Sequence, residues 1–270
     1  MKKIFCPQKT SRRTYTAFIL LLSFLFTFVF PLCTDARTEN GWYVKRNPEH
    51  RQPILEPEQQ FIEKYDGYYI DKRFGDDSSE KVLYLTFDLG YVNDSVASIL
   101  DTLSKENVPA AFFVLEHVIK KNSDVVCRMV EDGHLVCNHS MYHKDMTKMD
   151  REGFRQELEG LEKDFKELTG KEMPKYYRPP RGQYNEQNLQ WAKEMGYKTV
   201  FWSFAYADWD NGKQMEVVRA KKKIRDNMHN GAVLLLHPTS KTNALLLPEL
   251  IREWKEAGYR FGTLDELTKK

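Results

Sequence analysis

Strand-like runs alternate with helical runs from Lys81 to the end of the chain, and this alternation constrains the fold most. The strand-like runs cover residues 81–88, 110–115, 134–138, 176–178, 198–203, 232–237 and 260–264. Nearly all of them precede a helical pattern, of which the clearest places Phe154, Leu158 and Leu161 on one face and ends at Gly170. Alternating strands and helices favour a parallel sheet. We therefore predict an α/β fold whose seven strands close as a barrel.

The first 36 residues combine a basic start with the apolar run "AFILLLSFLFTFVF" at positions 17–30. As a helix this run would span about 21 Å, which is less than the roughly 30 Å hydrocarbon core of a bilayer. We predict that residues 1–36 are a signal peptide cleaved after Ala36, with an uncleaved membrane anchor as the alternative. Either form places the rest of the chain outside the cytoplasm.

Residues 37–80 show no sustained period of 2 or 3.6, apart from a short helical pattern around 57–65. We predict that this segment is an irregular N-terminal arm that wraps the domain. Its aromatic residues Trp42, Tyr43 and Phe61 are expected to hold it in place.

The charge of the chain gives no indication of a nucleic-acid partner. The 41 basic and 39 acidic residues give a formal net charge of +2. The first 36 residues hold five bases and one acid, so the remainder carries 36 basic and 38 acidic residues. Because the basic excess lies in the leader alone, no nucleic-acid binding is expected.

Two cysteines lie outside the leader, Cys127 on a predicted helix and Cys137 on the next predicted strand. A disulfide between them is possible in an oxidising compartment. Because they are only ten positions apart on these two elements, we expect both to remain free.

Polar side chains capable of chemistry follow the strand-like runs at the points where the runs end. They are Asp88, His139, His143, Arg178, Asp208 and His237. In an α/β barrel the C-terminal strand ends form one rim, and active sites are assembled there from several strands. We therefore predict that these side chains share one site.

Taken singly, each of these residues has an ordinary alternative. His139 and His143 are four apart, so one helical turn would point both imidazoles the same way, as metal ligands require; two surface histidines are the alternative. Asp88 is a general base if a metal is near, and otherwise a loop or capping residue. Arg178 precedes two prolines and is otherwise a surface arginine. His237 suits proton donation to a leaving nitrogen, and is otherwise structural.

Five motifs in order, "TFDLG", "HSMYH", "RPPRG", "ADW" and "LLLH", resemble those of polysaccharide deacetylases, the NodB-like domains of carbohydrate esterase family 4. The resemblance covers about residues 81–265, and we assign the domain to 81–267. The longer strings "RMVEDGHLVCNHS" and "YYRPPRGQYNEQNL" look like a narrower branch. That branch is the muramic-acid δ-lactam de-N-acetylases of sporulating bacteria.

This resemblance implies a distorted (β/α)7-type barrel that hydrolyses the acetamide of an N-acetylated sugar in a cell-wall glycan strand. It also implies a divalent metal, zinc or similar, that polarises the carbonyl. The implied roles are general base for Asp88, general acid for His237, orientation of the base for Arg178, tuning of the acid for Asp208, and metal ligation for His139 and His143.

Leu89 departs from the family pattern. The broad family has a second aspartate there as third metal ligand, and in the δ-lactam branch the position resembles an asparagine. Position 89 is taken to share the exposed strand tip with Asp88. Leucine cannot ligate a metal, and two neutral imidazoles leave the ion with fewer protein ligands, so we expect metal binding to be weak. Asn93 or Asp94 on the same loop could substitute.

The resemblance favours de-N-acetylation of N-acetylmuramic acid in peptidoglycan, leading to muramic δ-lactam in spore cortex. The freed 2-amine would attack the lactyl carboxyl of the same sugar, which intramolecular proximity favours. The alternatives are deacetylation of another glycan such as chitin or an N-acetylglucosamine polymer, hydrolysis of esters, and a pseudoenzyme that binds glycan.

Overall fold

The computed structural model describes residues 39–46 and 49–269. The strands are β1 (Asn40–Gly41), β2 (Gly67–Tyr68), β3 (Lys81–Leu89), β4 (Ala110–Val114), β5 (Leu135–Asn138), β6 (Tyr176–Tyr177), β7 (Gln183–Tyr184), β8 (Lys198–Val200), β9 (Ala232–Leu236) and β10 (Tyr259–Phe261). The α-helices are α1 (Asp94–Glu106), α2 (Glu116–Lys121), α3 (Ser123–Glu131), α4 (Arg151–Thr169), α5 (Glu186–Glu194), α6 (Val217–Asp226), α7 (Lys241–Glu256) and α8 (Leu264–Leu267). Short 3-10 helices cover Pro57–Tyr65, Met146–Lys148 and Pro180–Gly182.

The main sheet is parallel and follows the order β10-β3-β4-β5-β6-β8-β2, with β9 also paired to β3. The central strand β3 is long enough to hold two partners on one side, since its first residues pair with β10 and its later ones with β9. Each of the seven predicted runs overlaps one of these strands. The predicted α/β fold with a distorted (β/α)7-type barrel is therefore confirmed.

The barrel is distorted where β8 should meet β9. The chain after β8 does not continue as a strand, and the two sides are joined by an isolated parallel bridge between Phe204 and Leu234. The Leu235 amide donates a hydrogen bond to the Phe204 carbonyl at 2.8 Å, and the Ser203 amide donates one to the Val233 carbonyl at 2.9 Å. The sheet therefore curls round on itself with one irregular seam.

The two faces of β3 point into different cores. Val82 and Tyr84 point into the barrel interior, where they pack with Phe113. The alternate residues, among them Leu85 and Leu89, pack outward against the helices. Because successive strand residues alternate in direction, Asp88 belongs to the interior face. Burial on both faces explains why β3 reads as a nearly continuous apolar run.

Helix ends follow from local sequence. Asn93 accepts a hydrogen bond from the Ser95 amide at the start of α1, and Asp150 accepts one from the Gly153 amide at the start of α4. Gly170 ends α4 in the left-handed region at φ 70°, where glycine has no steric penalty. The predicted end of this helix is thus correct.

The arm is more regular than predicted. Its strand β2 extends the main sheet by parallel pairing to β8, and β1 pairs antiparallel with β7. The pattern around 57–65 is a 3-10 helix, Pro57–Tyr65. Trp42 is buried and Phe61 is partly buried, but Tyr43 is exposed, so its predicted role in holding the arm is wrong.

Cys127 and Cys137 are both free, as expected. The leader prediction for residues 1–36 lies outside the described residues. Within the described ranges, none of the helices combines the length and apolar character that crossing a bilayer requires.

Candidate active site

A cavity of about 580 Å³ opens at the C-terminal edge of the sheet. Four of the six predicted site residues line it, namely Asp88, His139, His143 and His237. The other two, Arg178 and Asp208, lie behind the lining and contact it through hydrogen bonds. The structure therefore brings all six together, four facing the cavity and two supporting them.

Asp88 is held by a fully buried arginine. Arg178 Nη1 donates to Asp88 Oδ1 at 2.8 Å, and its Nη2 donates to Thr86 Oγ1 at 2.8 Å. Arg178 Nε donates to the Val200 carbonyl at 2.9 Å, and the guanidinium lies 4.2 Å from the centre of the Phe113 ring. These contacts fix the arginine in one position, so it fixes the carboxylate as well. Arg178 is therefore not a surface residue.

The backbone of Arg178 orients a second site residue. His139 Nδ1 lies 2.9 Å from the Arg178 carbonyl oxygen, so this nitrogen carries the proton and donates. The other nitrogen, Nε2, is then an acceptor with its lone pair free, 3.5 Å from Asp88 Oδ2. One arginine thus positions both the carboxylate and the first imidazole.

His143 lies beside His139, but the predicted helical turn between them is wrong. Residues 139–143 form a loop in which Ser140 and His143 have positive φ values of 70° and 54°. The His143 amide donates to Ser140 Oγ at 3.0 Å and so closes the loop. The two imidazole rings lie 5.0 Å apart at 64°. The expected proximity holds, although the backbone that produces it is not helical.

His237 is held by Asp208 on two sides. His237 Nδ1 donates to Asp208 Oδ1 at 2.7 Å, and the His237 amide donates to Asp208 Oδ2 at 2.9 Å. Asn243 Nδ2 also donates to Oδ2, at 2.6 Å, which fixes the buried carboxylate. Nδ1 is thereby committed, so Nε2 is the nitrogen of His237 that is available to a substrate.

The environment separates the pKa values of the two candidate proton-transfer groups. Burial alone would raise the pKa of Asp88, but the charge of the Arg178 guanidinium lowers it below its usual value. Burial alone would lower the pKa of His237, but the hydrogen bond and charge of Asp208 raise it above its usual value. The two shifts favour the ionised form of the carboxylate and the protonated form of the imidazole at one cavity, which is the arrangement of a base and an acid.

His139 and His143 stay neutral. Burial lowers the pKa of His139, and burial is also the main reason that the pKa of His143 falls to about 4. A neutral imidazole whose other nitrogen is fixed by a hydrogen bond is suited to hold a metal ion, and His139 meets this condition through Nδ1. With its ring centre 5.0 Å from that of His139, His143 is the neighbouring imidazole that could supply a second nitrogen. Among the described side chains, no cluster of three or more His, Cys, Asp or Glu residues is arranged to hold a metal.

Leu89 does not lie on an exposed tip. It is fully buried and packs in the outer core with the helices, on the opposite face of β3 from Asp88. The exposed-tip interpretation is wrong because β3 keeps its alternation through its last residue. Asn93 caps α1 and donates to the Thr239 carbonyl at 2.9 Å, and neither it nor Asp94 lines the cavity.

Several residues that matter for the site escaped the sequence analysis. Thr86 supports Arg178, and its position two residues before Asp88 on the same strand face was a usable signal. Asn243 supports Asp208 from α7, where no spacing signal points to it. Tyr91 and Arg181 line the cavity, and only their place in the motifs could have indicated them.

A base and an acid at the C-terminal edge of a parallel sheet suit a hydrolase, and comparison with known proteins shows the class to be that of the polysaccharide deacetylases. The family model for polysaccharide deacetylases matches residues 75–200. The chain is 41% identical over 253 residues to a 30.6 kDa protein of Geobacillus stearothermophilus, covering 92% of this chain and 94% of that one. It is 38% identical to the peptidoglycan-N-acetylmuramic acid deacetylase PdaA of Bacillus subtilis, covering 84% of this chain and 85% of PdaA.

Structural similarity extends over the same region. The solved structure of Bacillus subtilis PdaA, a family 4 carbohydrate esterase, superimposes with a TM-score of 0.80 at 36% identity. The superposition covers 86% of this chain and 97% of PdaA. The chain belongs to the polysaccharide deacetylase family.

Proposed function

We propose that the protein removes the acetyl group from N-acetylmuramic acid residues of peptidoglycan by hydrolysis of the amide. The observation that carries this proposal is the pair formed by Asp88 and His237, whose pKa values are shifted in opposite directions at one cavity. The similarity to PdaA along most of both chains supports the choice of sugar.

In the proposed reaction, Asp88 takes a proton from a water molecule as the water oxygen adds to the acetyl carbon. His237 then donates the proton on Nε2 to the sugar nitrogen as the carbon–nitrogen bond breaks. Acetate and a free 2-amine are the products. A divalent ion held by His139 and His143 would polarise the acetyl carbonyl when bound.

The supporting residues do not touch the substrate in this proposal. Arg178 keeps Asp88 ionised and aimed, and Asp208 keeps Nδ1 of His237 protonated so that Nε2 faces the substrate. Both act as positioning residues. Because these contacts exist before substrate binds, the site needs little reorganisation for proton transfer.

The product amine lies on the carbon next to the one that bears the lactyl ether. Attack of this amine on the lactyl carboxyl, with loss of water, would close a six-membered lactam. We propose that this lactam forms in spore cortex and that the protein acts outside the cytoplasm, on glycan strands from which the peptides have been removed.

The test is the mass change of defined glycan strands. Peptide-stripped peptidoglycan strands are incubated with the purified protein, and their muramic acid and glucosamine residues are analysed by mass spectrometry. The proposal expects muramic acid residues to lose the mass of one acetyl group, followed by one water where the lactam closes. Acetyl loss confined to glucosamine would assign the enzyme to the alternative sugar. No acetyl loss from either sugar would favour a glycan-binding pseudoenzyme.

A further inference from the structure

Arg181 is the single lysine or arginine among the described residues that line the catalytic cavity. Its side chain is exposed. Within the described ranges, its guanidinium makes no hydrogen bond or ion pair, in contrast to Arg178 three positions earlier. It lies close enough to His143 for its charge to help lower the pKa of that imidazole. The cavity therefore has one permanent positive charge without a protein partner.

The backbone holds this arginine in an unusual conformation. Arg181 has φ 57° and ψ 10°, in the left-handed region that glycine or asparagine adopts more readily. Such a conformation costs a non-glycine residue roughly 1–2 kcal/mol. Within the described ranges, no hydrogen bond or ion pair of the guanidinium offsets this cost, so a bound ligand is the natural partner.

The turn that carries Arg181 is hydrogen-bonded to, and packs against, Trp42 of the N-terminal arm. The Gly182 amide donates to the Pro179 carbonyl at 3.0 Å, and the Trp42 amide donates to the Gly182 carbonyl at 2.9 Å. A Cβ at Gly182 would lie 2.8 Å from the Trp202 ring and 3.0 Å from Trp42 Cβ. The backbone at Arg181 is thus fixed, and its guanidinium starts from a defined point on the cavity wall.

Charge in the cavity favours an anionic ligand group at Arg181. Asp88 is the one acidic side chain among the described lining residues, and Arg178 already neutralises it. A carboxylate brought by a substrate would therefore meet Arg181 without competition from a protein carboxylate. A guanidinium can bind such a group through two parallel hydrogen bonds.

We propose that Arg181 selects the substrate by binding the lactyl carboxylate of the muramic acid residue whose acetamide lies between Asp88 and His237. This inference rests on the proposed function. The acetamide and the lactyl ether are on neighbouring ring carbons, so both groups enter the same cavity. N-acetylglucosamine has a hydroxyl in place of the lactyl group, and a peptide-bearing muramic acid has a neutral amide. Arg181 thus discriminates against both.

The experiment compares three oligosaccharides of equal length. One contains N-acetylmuramic acid with a free lactyl carboxylate, the second contains the same sugar with the lactyl group as its neutral carboxamide, and the third contains N-acetylglucosamine alone. Acetate release gives kcat and KM for the parent, Arg181→Gln, Arg181→Lys and Arg181→Gly. Glycine adopts the left-handed conformation without strain, so Arg181→Gly is expected to fold at least as stably as the parent. The matched control is Arg151→Gln, which removes a surface arginine paired with Glu194.

The parent is expected to prefer the carboxylate over the carboxamide substrate. Arg181→Gln and Arg181→Gly should reduce that ratio of kcat/KM by about 10- to 100-fold, mainly through KM, because a hydrogen-bonded charge pair is lost. Arg181→Lys should restore part of the ratio because it keeps the charge, and Arg151→Gln should leave the ratio at the parent value.

An unchanged ratio in the folded Arg181 variants would overturn the proposal. An equal loss on both muramic substrates would also overturn it, because the arginine would then act independently of the carboxylate. A parent that releases acetate from the N-acetylglucosamine oligosaccharide alone would instead refute the proposed function. These results are distinguishable because the first two require a parent active on muramic acid.

Discussion

Arg178 Nη1 donates to Asp88 Oδ1 at 2.8 Å from a side chain that is completely buried. The same guanidinium also satisfies Thr86 and the carbonyls of Val200 and Phe201. A lysine has no planar fork and cannot make this set of hydrogen bonds. The relationship therefore depends on guanidinium geometry as well as on positive charge.

Arg178→Lys should lower kcat/KM by about 10- to 100-fold, the loss expected for a misaligned charged hydrogen bond. It should also lower the midpoint of thermal unfolding, because buried acceptors lose their donors. Acetate release and circular dichroism together measure both effects. Arg151→Lys, at a surface ion pair with Glu194, is the control and should behave like the parent. Parent-like kinetics in Arg178→Lys would show that only the positive charge of Arg178 matters, and that its guanidinium geometry does not.

The raised pKa of His237 predicts the alkaline side of the pH profile. Below this pKa the imidazole is protonated and can donate, so kcat/KM should fall as pH rises through it. Asp208→Asn removes the main group that raises the pKa, so the fall should occur at lower pH than in the parent. Asp210→Asn, at an exposed carboxylate two residues away, is the control. An alkaline limb that stays in place in Asp208→Asn would show that another group is the acid.

The position of Leu89 in the outer core predicts the result of adding a carboxylate there. Leu89→Ala should lower the free energy of unfolding by about 2–5 kcal/mol, as for other buried leucines. Leu89→Asp should lower it further at neutral pH, because the charge would be buried among apolar side chains. Denaturant unfolding measures both changes. A stable Leu89→Asp protein that binds zinc more tightly than the parent would mean that this side chain turns into the cavity.

The proposed metal pair predicts weak and removable metal binding. With two imidazole donors, calorimetry should detect zinc binding that a chelator reverses, and chelation should lower the rate of acetate release. His143→Ala should weaken zinc binding about 10-fold or more, whereas His117→Ala, outside the cavity on α2, should not. The metal proposal would be contradicted if the parent were fully active in excess chelator and calorimetry detected no zinc binding to it. His139 and His143 would then be substrate contacts.

Most of the architecture could be predicted from the sequence because the strand and helix periods are strong between β3 and β10. The convergence of Asp88 and His237 followed from the same argument, since parallel strands end at one rim. The short strands β1 and β2 were missed because two residues carry no period. Their pairing depends on partners far along the chain, which a local pattern cannot reveal.

The errors at the site have two physical origins. Leu89 was wrongly placed on an exposed tip because the motif comparison was given more weight than the alternation of side chains along β3. That alternation correctly assigns Leu89 to the outer face. The loop between His139 and His143 could not be predicted, because the positive φ values of Ser140 and His143 leave only a weak trace in the sequence. Arg181 was overlooked because only its place in a motif could have indicated that it lines the cavity.

The most direct measurement is the rate of acetate release from peptide-stripped, N-acetylmuramic acid-containing strands by the parent, Asp88→Asn and His237→Ala. Each variant should be slower by roughly 10²-fold or more, as is typical for proton-transfer groups. Unfolding midpoints should stay close to that of the parent, because both side chains line the cavity. A parent-like rate in either folded variant would contradict the account of base and acid.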